Sequence, residues 1–518
     1  MKKWNHLATS ALALVLAAGL PAVAVAQPSG VLVIAENETP ENLDPANAVN
    51  STVNQLIIGV YDTLVQFTAG ELAVSPRLAT DWSVSDDGLT YTFNLRDDVL
   101  FHDGTPLTAE DVKFTFDRLQ AAGGMVLNEM GPFTGAEVVD THTVQLNLSS
   151  PFAPMLSALS RIYIVNKALV EPHMGSDNAR QWLAVNTAGS GPYMVTSYMP
   201  TEAVTLEAFE DYWGGWEGNR VAEVVFRYIS EPSTQLAMLR RGEVHIAPDL
   251  TVDDMLALQD TPGFVVDIGA AATPLYFQFN TASSGPTGDP EFRRMLAMTY
   301  DRELHLEAIL QGLGTMPDGP LPPGWLGHVS GTEPDFDLDA AREMVEANGW
   351  AGTRLLVRYL PAIAEERAAV ELLQASLASI GITLDTEGMT WPAQAATTTS
   401  VETTSDINMI YNFPSFPDPH AILNTSFNGA LTGYNGGLNW AQYSNPAVDD
   451  LLNRASASTD EAERAELYAE AQRLIGADHP VITVSLPASV VALSDRVEGY
   501  VYNPAHHQTF NYMDIGLR

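Results

Sequence analysis

Residues 78–119 read LATDWSVSDDGLTYTFNLRDDVLFHDGTPLTAEDVKFTFDRL, and their pattern changes from that of a strand to that of a helix. From Leu89 to Leu95, apolar and polar residues alternate, which is the period of a strand with one buried face. HDGT (102–105) has the residue types of a tight turn, and TAED (108–111) matches a capping box before an apolar-faced run. The stretch therefore predicts a mixed α/β fold.

The same stretch is rich in acids and holds a histidine, so an active site has to be considered. The acids of TAED complement the positive end of the helix dipole, and the acid of HDGT is a turn former. No nucleophile or partner base is placed beside them by spacing, and we interpret the stretch as scaffold. The residues concerned are Asp97, Asp98, His102, Asp103, Glu110 and Asp111.

The composition excludes several classes of function. The chain has 25 Lys and Arg against 64 Asp and Glu, a formal net charge of −39, so it repels phosphate backbones and no nucleic-acid partner is expected. It has no cysteine, which excludes disulfides, thiol nucleophiles and thiolate metal sites. The histidines are scattered without zinc-ligand spacing, and we expect neither a metal nor a cofactor.

The first 26 residues have the features of a secretory leader. Lys2 and Lys3 precede the apolar run ALALVLAAGL (11–20), and small residues end at Ala26 before Gln27. This run is too short to span a bilayer. We expect cleavage after Ala26 and a product free in a bacterial periplasm.

The rest of the chain continues the α/β pattern. VLVIA (31–35) predicts a buried strand, and the apolar spacing of VNQLIIGVYDTLVQF (53–67) predicts a helix. RLLVRYLP (354–361), a helical run over 364–381 and ITLDTEGM (382–389) predict a β-α-β unit.

Two positions near the end of this region attract attention. Trp391 follows the last of these strands and precedes a small polar run, so we expect it to be partly exposed at a binding site. In FPDP (416–419), Pro419 restricts Asp418 to extended conformations. Such a stiff loop either aims side chains into a cleft or is an ordinary proline turn.

Several blocks of the sequence resemble one family. Residues 78–119 resemble the signature region of the large extracellular solute-binding proteins of ABC importers, the family that includes dipeptide- and oligopeptide-binding proteins. Further blocks follow in the order of that family and together span nearly the whole chain after the leader. They are GSGPYMVTSY (189–198), AMLRRGEVHIA (237–247), FNT (279–281), FRRMLAMTYDR (292–302) and NWAQYSNPAVDDLL (439–452).

The resemblance implies an α/β fold of the type II periplasmic binding-protein kind, with a bilobal hinged cleft and an additional third domain. Ligand would lie between domains I and III, while domain II mainly supports the others. Hinge crossings are expected near residues 276–280 and 482–487. The expected boundaries are the leader at 1–26, domain I at 27–66, 187–277 and 485–518, domain II at 67–186, and domain III at 278–484.

The resemblance also suggests site residues. The cleft-lining loop of oligopeptide binders falls here on Val49, Asn50 and Ser51, and Trp391 has the place of a pocket-lining tryptophan. Peptide binders carry an Asp for the peptide ammonium where this chain has Ser415, and their arginines for the peptide carboxylate have no clear match here. Asp418 could replace the missing carboxylate. The full set of candidate ligand-binding residues is Val49, Asn50, Ser51, Asp249, Trp391, Asn412, Ser415 and Asp418.

We therefore expect a non-catalytic, monomeric receptor that closes around a peptide or other small solute and presents a surface to a membrane permease. Because the usual ammonium partner is absent, an oligosaccharide or glycoside stacked on Trp391, or another polar solute, stays open as the ligand. The alternative is a secreted hydrolase that uses Asp249 and Asp418 as its acid and base.

Overall fold

The computed structural model describes residues 28–47, 51–67, 73–123, 125–269, 273–433, 437–502 and 510–518. The predicted leader lies outside these ranges. The described residues form a seven-stranded, a six-stranded and a four-stranded sheet, with two short ribbons, Val65–Phe67 with Val74–Pro76 and Val497–Glu498 with Gly516–Leu517.

We refer to the seven-stranded, four-stranded and six-stranded sheets, each with the elements packed on it, as domains I, II and III. In the seven-stranded sheet, the strand Val31–Glu36, which confirms the predicted buried strand, runs parallel to Glu223–Tyr228 and to Ile246–Ala247. The helices of this region are Ser51–Ile57, Pro232–Arg241 and Val252–Gln259, with short 3-10 helices at Pro45–Asn47 and Tyr512–Asp514. The segment expected at the end of domain II also packs its Val170 and Leu183 into this core; it contains the helices Lys167–Val170 and Arg180–Leu183 and the 3-10 helix Glu171–His173. In spatial order the strands are Phe264–Gly269, Ser489–Ser494, Ile246–Ala247, Val31–Glu36, Glu223–Tyr228, Ala203–Ala208 and Tyr193–Met199.

The predicted helix over residues 53–67 is wrong beyond Ile57. Beyond Ile57, the backbone packs against the GSGP motif (189–192), and the Gly191 amide donates to the Val60 carbonyl at 3.0 Å. A Cβ at Gly189 would lie 2.0 Å from the same carbonyl oxygen, so only glycine permits this approach. Because the Val60 carbonyl accepts this bond, tertiary contact overrides the helical spacing.

The four-stranded sheet belongs to domain II and contains the opening stretch. The helix Ala109–Ala122 begins with the predicted capping box, in which the Asp111 carboxylate accepts from the Thr108 amide at 2.9 Å. Two shorter helices are Met125–Asn128 and Met155–Leu159. The strands, in spatial order, are Ala79–Val84, Thr90–Leu95, Thr143–Leu148 and Phe133–Asp140.

Buried polar contacts join domain II to domain I. Arg118, on the capped helix, forms two hydrogen bonds with Asp44, at 3.0 and 2.5 Å, and both side chains are 2% exposed. His102 bonds the Gly191 carbonyl at 2.9 Å, and burial lowers the pKa of its imidazole. Asp103 accepts from the Thr105 amide and hydroxyl. These bonds support the interpretation of the opening stretch as scaffold.

The six-stranded sheet is the centre of domain III. The strands Arg354–Tyr359 and Thr383–Gly388 are parallel and are linked by the helix Ala364–Ser379, which confirms the predicted β-α-β unit. The other helices are Pro290–Met298, Arg302–Leu304, Leu338–Asn348, Trp391–Thr397, Pro419–Phe427, Pro446–Ala457 and Glu461–Asp478, with a π-helical turn at His305–Ile309 and 3-10 turns at Pro286–Gly288 and Gly429–Leu431. In spatial order the strands are Gly314–Thr315, Val481–Pro487, Leu275–Phe279, Ile407–Tyr411, Arg354–Tyr359 and Thr383–Gly388.

The chain passes between these two sheets twice. One crossing lies between Gly269 and Leu275, and the other is at Ala488. The predicted hinge segments 276–280 and 482–487 fall mainly within strands of the six-stranded sheet, next to these crossings. Beside them, the Gln311 side-chain amide donates to the Asp253 carboxylate of domain I at 2.7 Å.

Candidate functional site

In the sheets of both domain I and domain III, one set of strand ends lies next to the two crossings. In domain I, strand Ser489–Ser494 begins at the crossing. The parallel strands Val31–Glu36 and Ile246–Ala247 run in the opposite direction, so they end on the same side of the sheet. In domain III, Leu275 pairs with both Tyr411 and Ser485. Loops at the carboxyl ends of parallel strands are where open α/β sheets bind ligands. The two sets of loops are therefore the candidate walls of a ligand cleft at the hinge.

Aromatic side chains line the domain III wall. Trp391 begins the helix that follows strand Thr383–Gly388 and is 38% exposed. Its ring packs 5.1 Å, between centroids, from the buried Trp440. Phe413, 48% exposed, stacks on Tyr411 at 5.5 Å. Partly exposed rings on a rigid base provide an apolar surface for a ligand.

A buried polar network fixes the base of this wall. The Tyr411 hydroxyl donates to the Glu365 carboxylate at 2.5 Å. The same carboxylate accepts from the Ser485 hydroxyl and lies 3.0 Å from Nε2 of His305, whose Nδ1 is 2.6 Å from the Tyr300 hydroxyl. Ser485 donates to a carboxylate and is not paired with the imidazole, so the group has the arrangement of a support and not that of an activated nucleophile.

The loop after Tyr411 carries three predicted site residues. Asn412 is buried, and its Nδ2 donates to Ser426 at 2.6 Å, while its Oδ1 has no hydrogen-bond donor among the described residues. Asp418 caps the helix Pro419–Phe427 and forms a 2.6 Å ion pair with Arg464. This carboxylate already has a cationic partner inside domain III.

Ser415 contacts domain II. Its hydroxyl donates to Oε1 of Glu129, and burial raises the pKa of Glu129 against the lowering effects of Arg161 and of this bond. Oε2 of Glu129 is buried and has no hydrogen-bond donor among the described residues. Sequence spacing gave no indication of Glu129, because the two residues are 286 positions apart.

Further contacts surround this bond, and we call the set the domain II–III patch. The Ala153 amide donates to the Ser456 carbonyl at 2.7 Å, and the Phe152 ring packs edge-on against His420 at 5.1 Å. Burial lowers the pKa of His420 to about 4. The buried residues Ala158, Phe416 and Ala421 complete the patch. The structure therefore has domains II and III in direct contact.

The remaining predicted residues belong to the domain I side. Val49 and Asn50 lie outside the described residues, and Ser51 begins the helix Ser51–Ile57. Asp249 follows strand Ile246–Ala247 and accepts from the Asn37 amide at 3.1 Å. Asp249 and Asp418 thus have separate partners, and among the described residues no contact between the two carboxylates supports the hydrolase alternative. Glu36, beside Asp249, was missed, although its place at the end of a buried parallel strand could have indicated it.

Two absences among the described residues bear on the kind of site. Among the described residues, no cluster of three or more His, Asp or Glu side chains is arranged to hold a metal ion. Within the same ranges, no helix has the length and apolarity needed to cross a bilayer.

The fold and the cleft define a two-lobe receptor for a small molecule, and comparison with known proteins gives its family. Residues 73–433 match the model of the bacterial extracellular solute-binding proteins, family 5. The chain belongs to this family, as the sequence blocks predicted. Members of this family are substrate-binding proteins of transport systems.

Relatives agree over nearly the full length. The chain is 31% identical, over 99% of both sequences, to the probable D,D-dipeptide-binding periplasmic protein DdpA of Escherichia coli. It is 28% identical to di/tripeptide-binding protein 2 of Pseudomonas aeruginosa, over 97% of this chain and 98% of the relative. Among solved structures, the Helicobacter pylori periplasmic binding protein DppA, in complex with the peptide STSA, is 26% identical, with a TM-score of 0.83 over 94% of this chain and 98% of that one.

Proposed function

We propose that this protein captures a peptide, or a solute of similar size and polarity, between domains I and III and delivers it unchanged to an ABC-type membrane permease. The observation that carries the proposal is the pair of sheet edges that meet at two chain crossings. This geometry allows the lobes to separate and close about a hinge while each sheet stays rigid. The peptides named for the relatives from E. coli, P. aeruginosa and H. pylori favour a peptide as the ligand.

The binding residues we propose come from both walls. Trp391, Tyr411 and Phe413 supply an apolar surface, because their rings are held from behind by Trp440 and by the Glu365 network. The buried Oδ1 of Asn412, which has no donor among the described residues, is a candidate acceptor for a ligand amide. Val49, Asn50 and Ser51 stay candidates from the loop on the domain I side.

The transport role carries further expectations. We propose that the leader is cleaved after Ala26, that the mature chain is periplasmic and monomeric, and that it does no chemistry on its ligand. The periplasmic location of the relatives from E. coli and H. pylori supports a periplasmic location for this chain. The Asp418–Arg464 pair supports the last of these points, since this carboxylate already has a cationic partner within domain III.

The test is native mass spectrometry of protein that has been purified without denaturation, followed by calorimetric titration with the identified solute. We expect a small solute to co-purify with the protein, and we expect the mass of that solute to be unchanged after prolonged incubation. Conversion of the solute to products would contradict the receptor function. Tight binding of an intact solute that is not a peptide would support the receptor function and exclude a peptide as the ligand.

A further inference from the structure

A second group of polar residues lies on the domain I wall of the cleft, where three parallel strands end. Glu36 ends strand Val31–Glu36, Tyr228 ends strand Glu223–Tyr228, and Asp249 lies two residues beyond strand Ile246–Ala247. The strands are adjacent and parallel, so these three residues share one edge of the sheet. We call them, together with Gln235, the acidic wall.

The two carboxylates of the acidic wall destabilise each other's charge. Glu36 is 8% exposed, and burial, followed by the charges of Asp249 and Glu38, raises its pKa. Burial is also the main cause that raises the pKa of Asp249 to about 6. In the part of the chain that the structure describes, no cationic side chain lowers either pKa. Close acids without a cation are unfavourable unless a proton or a positively charged group joins them.

Two neutral acceptors accompany the acids. Gln235 is fully buried, its side-chain amide bonds Asp249, and its Oε1 has no donor among the described residues. The Tyr228 hydroxyl is likewise buried without a partner within those ranges, and burial and the charge of Glu36 raise its pKa. The wall thus offers two carboxylates, one amide oxygen and one hydroxyl.

These groups match the donors of an organic cation. An ammonium group has three N–H donors and a guanidinium five, all of which seek oxygen acceptors. A bound Mg²⁺ or Ca²⁺ would need about six oxygen ligands, and the described residues hold no cluster of that kind.

We infer that the acidic wall binds a positively charged nitrogen group of the solute, and that the ligand is therefore an organic cation or a peptide with a free amino or guanidinium group. The inference rests on the proposed function, because it takes the hinge cleft as the ligand site. It also supplies, from domain I, the counter-charge that Ser415 does not provide from domain III.

The experiment offers the protein two peptide mixtures and identifies what it retains by mass spectrometry. One is a mixture of tripeptides that lack Lys and Arg, and the other is the same mixture after N-acetylation. We expect retention from the first mixture only, and at least a tenfold loss of retention in Glu36→Gln and in Asp249→Asn. Asp260→Asn, which removes an exposed acid from the same domain, serves as the charge-matched control and should retain peptides as the wild type does.

Each outcome decides a different point. Equal retention of acetylated peptides, or full retention by both wall variants, overturns the inference and leaves the receptor function intact. If the protein retains peptides from neither mixture, the ligand is not a peptide. The inference then depends on the solute that co-purifies with the protein, and a solute without a cationic nitrogen overturns it. A rise in melting temperature with Ca²⁺ or Mg²⁺ alone, lost in the wall variants, would assign the wall to a metal ion instead.

Stability and proton release separate a binding role from a structural one. Because the acids repel each other, the melting temperature of unliganded Asp249→Asn should not fall, whereas loss of a purely structural hydrogen bond would lower it. Binding of the cation by ionised carboxylates should release protons near pH 6, which titration in two buffers of different ionisation enthalpy measures. Affinity should fall as the pH drops below 6, by up to tenfold per pH unit, and a flat profile would contradict the inference.

Discussion

Replacement of Ser415 by alanine tests whether the domain II–III patch holds the lobes together. The substitution removes the hydroxyl that donates to Glu129 between domains II and III. A hydrogen bond to a charged group contributes about 1.5–3 kcal/mol, and about 1.4 kcal/mol changes an equilibrium constant tenfold. We therefore expect the ratio of closed to open molecules to fall by about 10- to 100-fold, with ligand affinity reduced in the same direction.

The absence of cysteine makes the lobe separation measurable with two spin labels. One label is placed at Val139 of domain II and the other at Glu371 of domain III, both exposed positions, in a chain that offers no other thiol. Pulsed electron–electron double resonance should show a population with a longer distance between the two labels in Ser415→Ala. Ser456→Ala is the matched control, because its hydroxyl bonds its own helix and only its backbone carbonyl contacts domain II.

A substitution at Glu129 should shift the same distance distribution in the opposite direction. Its raised pKa means that burial disfavours the ionised carboxylate more than Arg161 and Ser415 favour it. Glu129→Gln keeps an acceptor for Ser415 and removes the buried charge, so it should shift the distribution towards the short distance. Identical distance distributions for Ser415→Ala, Glu129→Gln and the wild type would refute the role of this contact.

Three further predictions follow from the same structure. Trp391→Ala should weaken ligand binding about tenfold in titration calorimetry, as expected for loss of an aromatic anchor, and leave the melting temperature of unliganded protein nearly unchanged; unaltered affinity would remove Trp391 from the site. His420, faced by Asp418, Arg464 and the Phe152 ring, has a lowered pKa, so the stability it contributes is complete above about pH 6.5 and is lost as the pH falls towards 4, by up to about 3 kcal/mol. In urea unfolding, His420→Gln should lose less stability than wild type between pH 7 and 4.5, and parallel losses would contradict this. Asp44→Asn should cost about 3–5 kcal/mol of unfolding free energy, because it leaves Arg118 buried without its counter-ion; the exposed control Asp339→Asn should cost no more than about 0.5 kcal/mol, and similar costs for both would refute the argument.

Local sequence patterns predicted much of the fold. The Thr108–Asp111 capping box, the parallel strands around the helix Ala364–Ser379 and the strand Val31–Glu36 depend on neighbours within a few residues, and the structure confirms each of them. The helix expected over residues 53–67 was wrong beyond Ile57 because the Val60 carbonyl bonds the backbone of Gly191, which lies far along the chain. Periodicity carries no information about such a contact.

The candidate site was less accessible to sequence reasoning. Resemblance indicated Trp391 and the loop that contains Ser415, but it gave no indication that Ser415 donates to Glu129 or that Asp418 is held by Arg464. Those pairings join segments that only the tertiary fold brings together. The chemistry of a carboxylate depends on such partners, so residue type and spacing alone could not assign it.

The central claim is that two lobes close around a solute at the hinge, and small-angle X-ray scattering tests it most directly. The protein is first freed of co-purifying solute by partial unfolding and refolding, and scattering is then recorded with and without a saturating amount of that solute. We predict a smaller radius of gyration in the presence of solute. Identical curves at verified saturation would contradict hinge closure.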